Sequence, residues 1–462
     1  MENGALTLNI KTTISQNLDS YVQNLKSFLA IPSISADQKF KTDVAKCSEQ
    51  VKKMLLEIGI PKVAIHQTKG HPIVFGELVI SDNLPTTLVY GHYDVQPPDP
   101  IELWESGPFE PVIKKTAIHP EGAIFARGAA DDKGQIFAQM KAIELAIKNN
   151  SLKTNLKIIY EGEEEIGSEH LEDFCIEHKE MLKCDQILVS DTSILSNSQP
   201  TLNTGLRGLS YLEVEVTGPN KDLHSGVYGG TVANPAVILT KILAKMFDEN
   251  NKITIPEFYD DVQKISEQEM EVFSKLPFDQ EKYCQDLEVN SLFGEQEFHP
   301  LARCSIRPSL DVNGIISGYT GEGAKTVLPS KASCKISARL VPNQDPNKIS
   351  KVIEKFIIKN CPDSVKVKVK PHHGGYPYVW PITDPSYVKA EQAMAKAYGI
   401  NPLPLRGGGS IPILPMFEKT LNAKSILLGF GLDSDQIHSP NEHFGLGNLK
   451  KAIEAIYYFI TD

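Results

Sequence analysis

Glu161-Gly162-Glu163-Glu164-Glu165-Ile166-Gly167-Ser168 places four carboxylates within five residues, directly after the β-rich run Leu156-Lys157-Ile158-Ile159-Tyr160. Crowded like charges repel and raise one another's pKa values, so a folded chain leaves such a cluster in solvent, protonates it or sets a cation against it. Alone, the stretch reads as a wet acidic turn, as charge runs usually are. The neighbouring segments favour the cation.

Thr86-Thr87-Leu88-Val89-Tyr90 is another short apolar strand and runs into Gly91-His92-Tyr93-Asp94, while Gln186-Ile187-Leu188-Val189-Ser190 ends on Asp191. Between them a glycine-punctuated turn carries Asp131-Asp132 and opens a helix over 133–148, whose Ile136, Met140, Ile143 and Ile147 form one buried face. Alternating strands and helices build a parallel sheet whose strand ends share one edge, and ligands bind at that edge. His92, Asp131, Glu164 with Glu165, and Asp191 therefore converge. His92-x-Asp94 adds a carboxylate able to orient the imidazole. The bland alternatives are a structural histidine and an Asp pair serving as helix N-cap.

After Gly205-Leu206-Arg207-Gly208 the order becomes strand 209–217, helix 235–247, strand 333–340, helix 348–358 and strand 365–370, with a helical insertion around 256–276. That succession resembles a split βαβ, ferredoxin-like module. A chain of 462 residues exceeds what one core normally serves. We read an α/β, mainly parallel-sheet domain in two parts, 1–207 and 381–462, interrupted by an inserted ferredoxin-like α+β domain over 208–380. His372 and His373, beside Gly374-Gly375 at the second junction, read as a loop rather than a metal site.

The excess of 58 acidic over 47 basic residues disfavours non-specific binding to nucleic acid or anionic membrane. Seven widely spaced cysteines without a CxxC pair fit reduced thiols in a cytoplasmic protein. The N-terminal residues show no basic and apolar leader, and no run of 18 apolar residues occurs, so neither signal peptide nor membrane span is expected.

GHYDVQP, GAADDKG, EGEEEIGS, the strand ending on Asp191, DLHSGVYGG, GAKTVLP, ARLVPN, GGGSIP and IHSPNEH follow one another in this order. With them the chain resembles, over nearly its full length, the dinuclear metallopeptidase family of cytosolic non-specific dipeptidase and carnosinase. Acetylornithine deacetylase and succinyl-diaminopimelate desuccinylase are more distant members. DLHSGVYGG and GAKTVLP resemble the dipeptidase branch more than the deacylases.

The resemblance implies a metallopeptidase catalytic domain with an inserted lid and dimerisation domain, and two divalent ions per subunit. His92, Asp131 and Asp191 are expected on one ion, and Asp131, Glu165 and His438 on the other, with Asp131 bridging. Imidazole and carboxylate ligands without thiolate suit zinc, and also manganese or cobalt. Glu164 takes the family's general acid/base place, Asp94 orients His92, and a cis peptide is expected between Asp131 and Asp132. His224 aligns with a histidine that, in family homodimers, reaches into the partner's active site to stabilise the oxyanion. Arg339 is expected on the substrate's terminal carboxylate; bracing the inserted domain through an internal ion pair is its alternative. Gly409 and Ser410 would add donors where a helix begins, and Thr326 lies on the substrate side. The extra acid Glu163 blurs which glutamates face the metals, and the E-E-x-G spacing to Gly167 selects Glu164 and Glu165. His170 and His443 have no family role and read as structural.

The activity implied is hydrolysis of dipeptides with a free C-terminal carboxylate. An N-acyl amino-acid deacylase or carboxypeptidase is the alternative, because one such centre hydrolyses many amides and pocket shape sets specificity. A catalytically silent scaffold protein would normally have lost a ligand or the acid/base glutamate, and all six positions are present here.

Overall fold

The computed structural model describes residues 10–462 except 266–269, 272, 275, 277 and 373. His373 and part of the expected 256–276 insertion thus lie outside the described residues. The chain divides into two compact units. The first ends at Thr204 and resumes over Trp380–Leu405 and Ile413–Asp462; the second comprises Gly205–Val379 and Arg406–Pro412. Among the described residues no helix is long and apolar enough to cross a membrane.

The first unit is built on a six-stranded sheet in the order Lys62–His66, Ile73–Leu78, Asn155–Glu161, Thr86–His92, Gln186–Val189, Lys424–Leu427. Pairings from Asn155–Glu161 through to Lys424–Leu427 are parallel. Those made by Ile73–Leu78 are both antiparallel. The sheet is therefore mixed, and the expectation of a mainly parallel one holds for the half that carries the chemistry. The antiparallel arm follows from the short link between Lys62–His66 and Ile73–Leu78, which is too brief for a crossover helix.

Lys133–Lys148 packs on the central strand Thr86–His92 and against Leu446–Thr461, which in turn meets Ile10–Leu29 and Pro385–Tyr398. A helix so enclosed is buried almost all round, not on one face as its periodicity suggested. Its polar residues are satisfied inside. Lys133 Nζ donates to the Ile31 carbonyl at 2.7 Å, and Gln139 Nε2 to the Tyr90 carbonyl at 3.1 Å. Gly91 permits the close approach: a Cβ there would stand 2.2 Å from Ile136 Cγ2. A small three-stranded sheet, Val112–Lys114 with Ala123–Phe125 and His443–Gly445, completes the unit.

The second unit holds a four-stranded antiparallel sheet in the order Ser309–Ser317, Lys331–Leu340, Gly208–Thr217, Lys366–Pro371. Gly208–Thr217 alternates buried and half-buried side chains along its whole length, the period-two pattern of a sheet with one core face. Helices Pro235–Ala244 and Pro346–Asn360 supply the other side of that core, through Leu239, Ile242, Ile349 and Ile353. Asp345 caps the second helix by accepting from the N–H groups of Asn347 and Lys348.

Candidate metal centre

The carboxyl ends of the parallel strands of the first unit bring the charged groups together. His92 closes the Thr86–His92 strand. Glu164 and Glu165 open a single 3-10 turn after Asn155–Glu161, and Asp191 stands two residues beyond Gln186–Val189. Asp131 lies just before helix Lys133–Lys148, and the Asp131–Asp132 peptide is cis. His438 follows the turn Asp433–Asp435 and has a positive φ of 60°.

Two donor triads result, His92, Asp131 and Asp191, and Asp131, Glu165 and His438, each with its ligating atoms within 4.8 Å of one another. Asp131 belongs to both. Its Oδ1 is 3.0 Å from His92 Nε2, and its Oδ2 is 2.9 Å from His438 Nε2. Asp191 Oδ2 is 3.9 Å from His92 Nε2, and Glu165 Oε2 is 3.2 Å from His438 Nε2.

The four carboxylates of the acidic stretch do different work. Glu161 Oε1 accepts from the Tyr90 hydroxyl at 2.7 Å and the Ser168 hydroxyl at 2.8 Å. Glu163 is buried against His170, whose Nδ1 lies 2.9 Å from Oε2. Gly70 leaves the space it occupies, since a Cβ there would come within 1.6 Å of Glu163 Oε1. Only Glu164 and Glu165 remain for the centre.

Asp94 touches His92 differently from the simple orienting carboxylate expected. His92 Nδ1 is hydrogen-bonded to the Asp94 backbone carbonyl at 3.1 Å, with the carboxylate Oδ1 at 3.4 Å. The carboxylate oxygens accept from the N–H groups of Glu164 and Glu165, at 3.2 and 3.1 Å. Asp94 thus ties the segment that carries His92 to the one that carries Glu164 and Glu165.

Gln96, Arg127 and Glu442 were not assigned roles from the sequence, though Gln96 and Glu442 stand inside GHYDVQP and IHSPNEH. Gln96 Nε2 donates to Glu165 Oε2 at 2.8 Å. Glu442 accepts the backbone N–H of Asp131 at 3.1 Å and pairs with Arg127. Motif membership was the available signal.

The electrostatics are those of a centre short of positive charge. Burial, and then Asp131, push Asp191 up to about 7. Burial and the charges of Asp191, Glu165 and Asp131 drive Glu164 far above the ordinary range, with His92 opposing. Burial would raise Asp131 too, but hydrogen bonds from His438 and His92 hold it below its usual value. Hydrogen bonds to Asp131 and Glu165 push His438 up to about 10. Among the described residues the ion pairs here come from imidazole alone, with no lysine or arginine. Hard oxygen donors and imidazoles crowded in this way match divalent cations in both chemistry and charge.

The remaining predicted site residues lie in the second unit. His224 is exposed, its Nδ1 accepting from Gly226 N–H at 3.0 Å. Val327 is its partner in the Leu223–His224 and Val327–Leu328 pairing, and the carbonyl of Thr326, one residue earlier, accepts from Ser225 N–H at 3.0 Å. Arg339 Nη1 donates to Ser410 Oγ at 2.9 Å, and no ion pair of Arg339 occurs among the described residues. Gly409 and Ser410 do not open a helix as expected. Gly407 ends the strand Leu403–Gly407, and the next helix begins only at Ile413, beyond Pro412. The Gly409 carbonyl accepts from Arg207 N–H at 3.0 Å. His372 pairs with Glu213 at 3.4 Å on the sheet edge.

A mixed sheet whose parallel strand ends present two histidine–carboxylate triads around one shared aspartate defines the class of metal-dependent hydrolases. The chain belongs to peptidase family M20/M25/M40, whose model matches residues 88–462. It is 32% identical to the Cys-Gly metallodipeptidase dug1 of Schizosaccharomyces pombe, over 97% of this chain and 96% of that protein. To the Beta-Ala-His dipeptidase of Homo sapiens it is 28% identical, over 94% and 88% of the two chains. Among solved structures, an M20 family metallo-carboxypeptidase from Sulfolobus solfataricus superposes with a TM-score of 0.85 at 32% identity, covering 96% of this chain and 99% of that one. Human carnosine dipeptidase 1 does so at 0.83 and 28%, covering 98% and 97%.

Proposed function

We propose that the chain hydrolyses the peptide bond of dipeptides with two divalent metal ions. The observation that carries this reading is the splitting of Asp131, one carboxylate oxygen toward each imidazole, in a chain of peptidase lineage. His92, Asp131 and Asp191 would hold one ion, and Asp131, Glu165 and His438 the other, zinc being the best match to the donors and manganese or cobalt suited as well. Bound there, divalent ions polarise an amide carbonyl and lower the pKa of a water into the neutral range.

Glu164 is the general acid/base: its carboxylate takes the proton of the attacking water and returns it to the leaving amine nitrogen. Glu165, engaged as a ligand, is unsuited to that shuttle. Asp94 positions both glutamates through their backbone N–H groups and fixes His92 in the tautomer with Nε2 free for metal.

In the second unit, the Arg339 guanidinium is the partner for the terminal carboxylate of the substrate, steadied by Ser410, and we assign Gly409 and Thr326 to the substrate side from the motifs that carry them. We assign the ferredoxin-like unit the roles of lid and dimerisation module, and His224 of a second copy the role of oxyanion donor, an effect commonly worth about 100- to 1,000-fold in rate. We assign a cytoplasmic setting from the seven widely spaced cysteines of the sequence.

Likeness to a metallo-carboxypeptidase supports a second reading, removal of the C-terminal residue from longer peptides. A panel of dipeptides, tripeptides and N-acyl amino acids, assayed with zinc, manganese or cobalt, separates the readings. Turnover of dipeptides well above the other two classes is expected; activity confined to longer peptides or acyl amino acids rejects the first reading.

A further inference from the structure

A third group of metal-type donors lies in the first unit, apart from the two triads at Asp131. His119 sits in the connection between Val112–Lys114 and Ala123–Phe125, His443 opens the strand paired with Ala123–Phe125, and Asp435 closes the turn Asp433–Asp435. His119 Nε2 is 2.9 Å and His443 Nε2 3.7 Å from one oxygen, Asp435 Oδ1. The three side chains are 2%, 8% and 0% exposed, in that order.

The hydrogen bonds around the cluster leave it short of a cation. Nδ1 of His443 is 2.9 Å from the Asn441 carbonyl, so Nδ1 carries the proton and donates. In the neutral ring Nε2 then presents a bare lone pair toward the carboxylate oxygen. Asp435 Oδ2 is already used, accepting from Leu432 N–H at 2.9 Å. Among the described residues the ion-pair partners of Asp435 are the two imidazoles alone. His119 can donate its own Nε2 proton to Oδ1, and the His443 Nε2 lone pair then faces the same oxygen at 3.7 Å with no proton between them.

We propose that His119, Asp435 and His443 bind a third divalent ion, of the zinc class, through His119 Nε2, His443 Nε2 and Asp435 Oδ1. Ligands about 2.0–2.1 Å from a tetrahedral zinc stand roughly 3.3 Å from one another, and the two observed separations straddle that value. The Nδ1–H contact of His443 with a backbone carbonyl is the usual support behind a metal-binding histidine. His119 also borders a surface cleft of about 570 Å³, shared with Lys11, Asn197 and Lys450. The ion's role is structural. It clamps the 433–438 turn, at whose end His438 stands, to the small sheet.

The inference is independent of the catalytic reading and is tested by counting ions. Zinc-loaded chain freed of excess metal should contain three ions per chain by elemental analysis, and His119→Asn and His443→Gln should each contain two. An unmodified chain that holds no more zinc than both variants overturns it, whatever the count at Asp131. Should neither variant fold, anomalous difference density at the zinc edge decides on the unmodified chain. A peak among the three named atoms supports the site, and no peak there overturns it whether or not ions occupy the centre at Asp131.

Discussion

Glu442 accepts a hydrogen bond from Arg127 Nη1 at 2.7 Å, and both side chains are 1% exposed. Its two oxygens also receive the N–H groups of Gly128, Ala130 and Asp131, at 3.0, 2.9 and 3.1 Å. One carboxylate thereby shapes the whole turn that presents the shared aspartate. Removing one partner of a buried ion pair strands the other charge and costs on the order of 3–5 kcal/mol. Arg127→Met is expected to lower the melting midpoint by several degrees and to weaken metal binding, with part of the activity recovered by excess zinc. An unchanged melting curve and zinc affinity would remove Glu442 and Arg127 from the supporting framework.

Neighbouring glutamates of the acidic stretch should behave oppositely under the same mild change. Glu163 faces His170, away from the donor triads, whereas Glu164 feels the charges of Asp191, Glu165 and Asp131. Glu164→Gln keeps size and polarity but cannot take a proton, so kcat should fall about 100- to 10,000-fold while both ions are retained. Glu163→Gln keeps a hydrogen bond to His170 and should stay within about tenfold of the unmodified chain, as one hydrogen bond is worth about 1 kcal/mol. Metal content and kcat measured side by side decide, and a Glu164→Gln protein with near-normal turnover overturns the assignment.

The contrast between these two glutamates also marks how far the sequence can be read. His92, Glu164, Glu165 and Asp191 were legible because each follows an apolar run short enough to be a buried strand, and strand ends of a parallel sheet share an edge. Gln96 and Glu442 act through hydrogen bonds to other segments, and neither periodicity nor spacing encodes such partners. The strands Val112–Lys114, Ala123–Phe125 and His443–Gly445 escaped notice because each is three residues long, below any period-two signal. Helix Lys133–Lys148 was found with its correct ends, yet its enclosure was not, since Gln135, Gln139 and Lys133 look like a solvent face until their buried partners are known.

Chelation should expose a pH dependence of defined sign. In the metal-free chain Asp191 is pushed up to about 7 by burial and then Asp131, and His438 up to about 10 by its hydrogen bonds to Asp131 and Glu165. A folded pKa above the unfolded value means that the folded chain binds more protons, so stability falls as pH rises between the two values. For Asp191 that window runs from about 4 to 7, and for His438 from about 6.5 to 10. Asp131, held low, acts in the other sense only in acid below its ordinary value. The EDTA-treated chain should therefore lose thermal stability from about pH 5 to about pH 9. Zinc binds deprotonated ligands, so its rescue should grow with pH, reaching about 2.7 kcal/mol at a hundredfold excess over Kd. Melting curves with EDTA and with zinc across this range check it; a chelated chain that gains stability with pH would contradict the charge arrangement.

The proposed role of His224 predicts complementation between inactive subunits. Its Nδ1 is occupied as acceptor from Gly226 N–H, which assigns the ring proton to Nε2 and makes Nε2 the donor. A donor on an exposed turn of the second unit serves an oxyanion only if a substrate-bearing surface is brought to it. His224→Ala should lower kcat about 100- to 1,000-fold and leave metal content unchanged. Glu164→Gln is inactive for a separate reason, so a mixed dimer contains one site with both groups intact if His224 acts across the interface. Mixed dimers, purified through two different affinity tags, should then recover up to about half of the unmodified activity per dimer, since one of two sites is complete. If His224 acts within its own chain, every site lacks one group and mixing restores nothing.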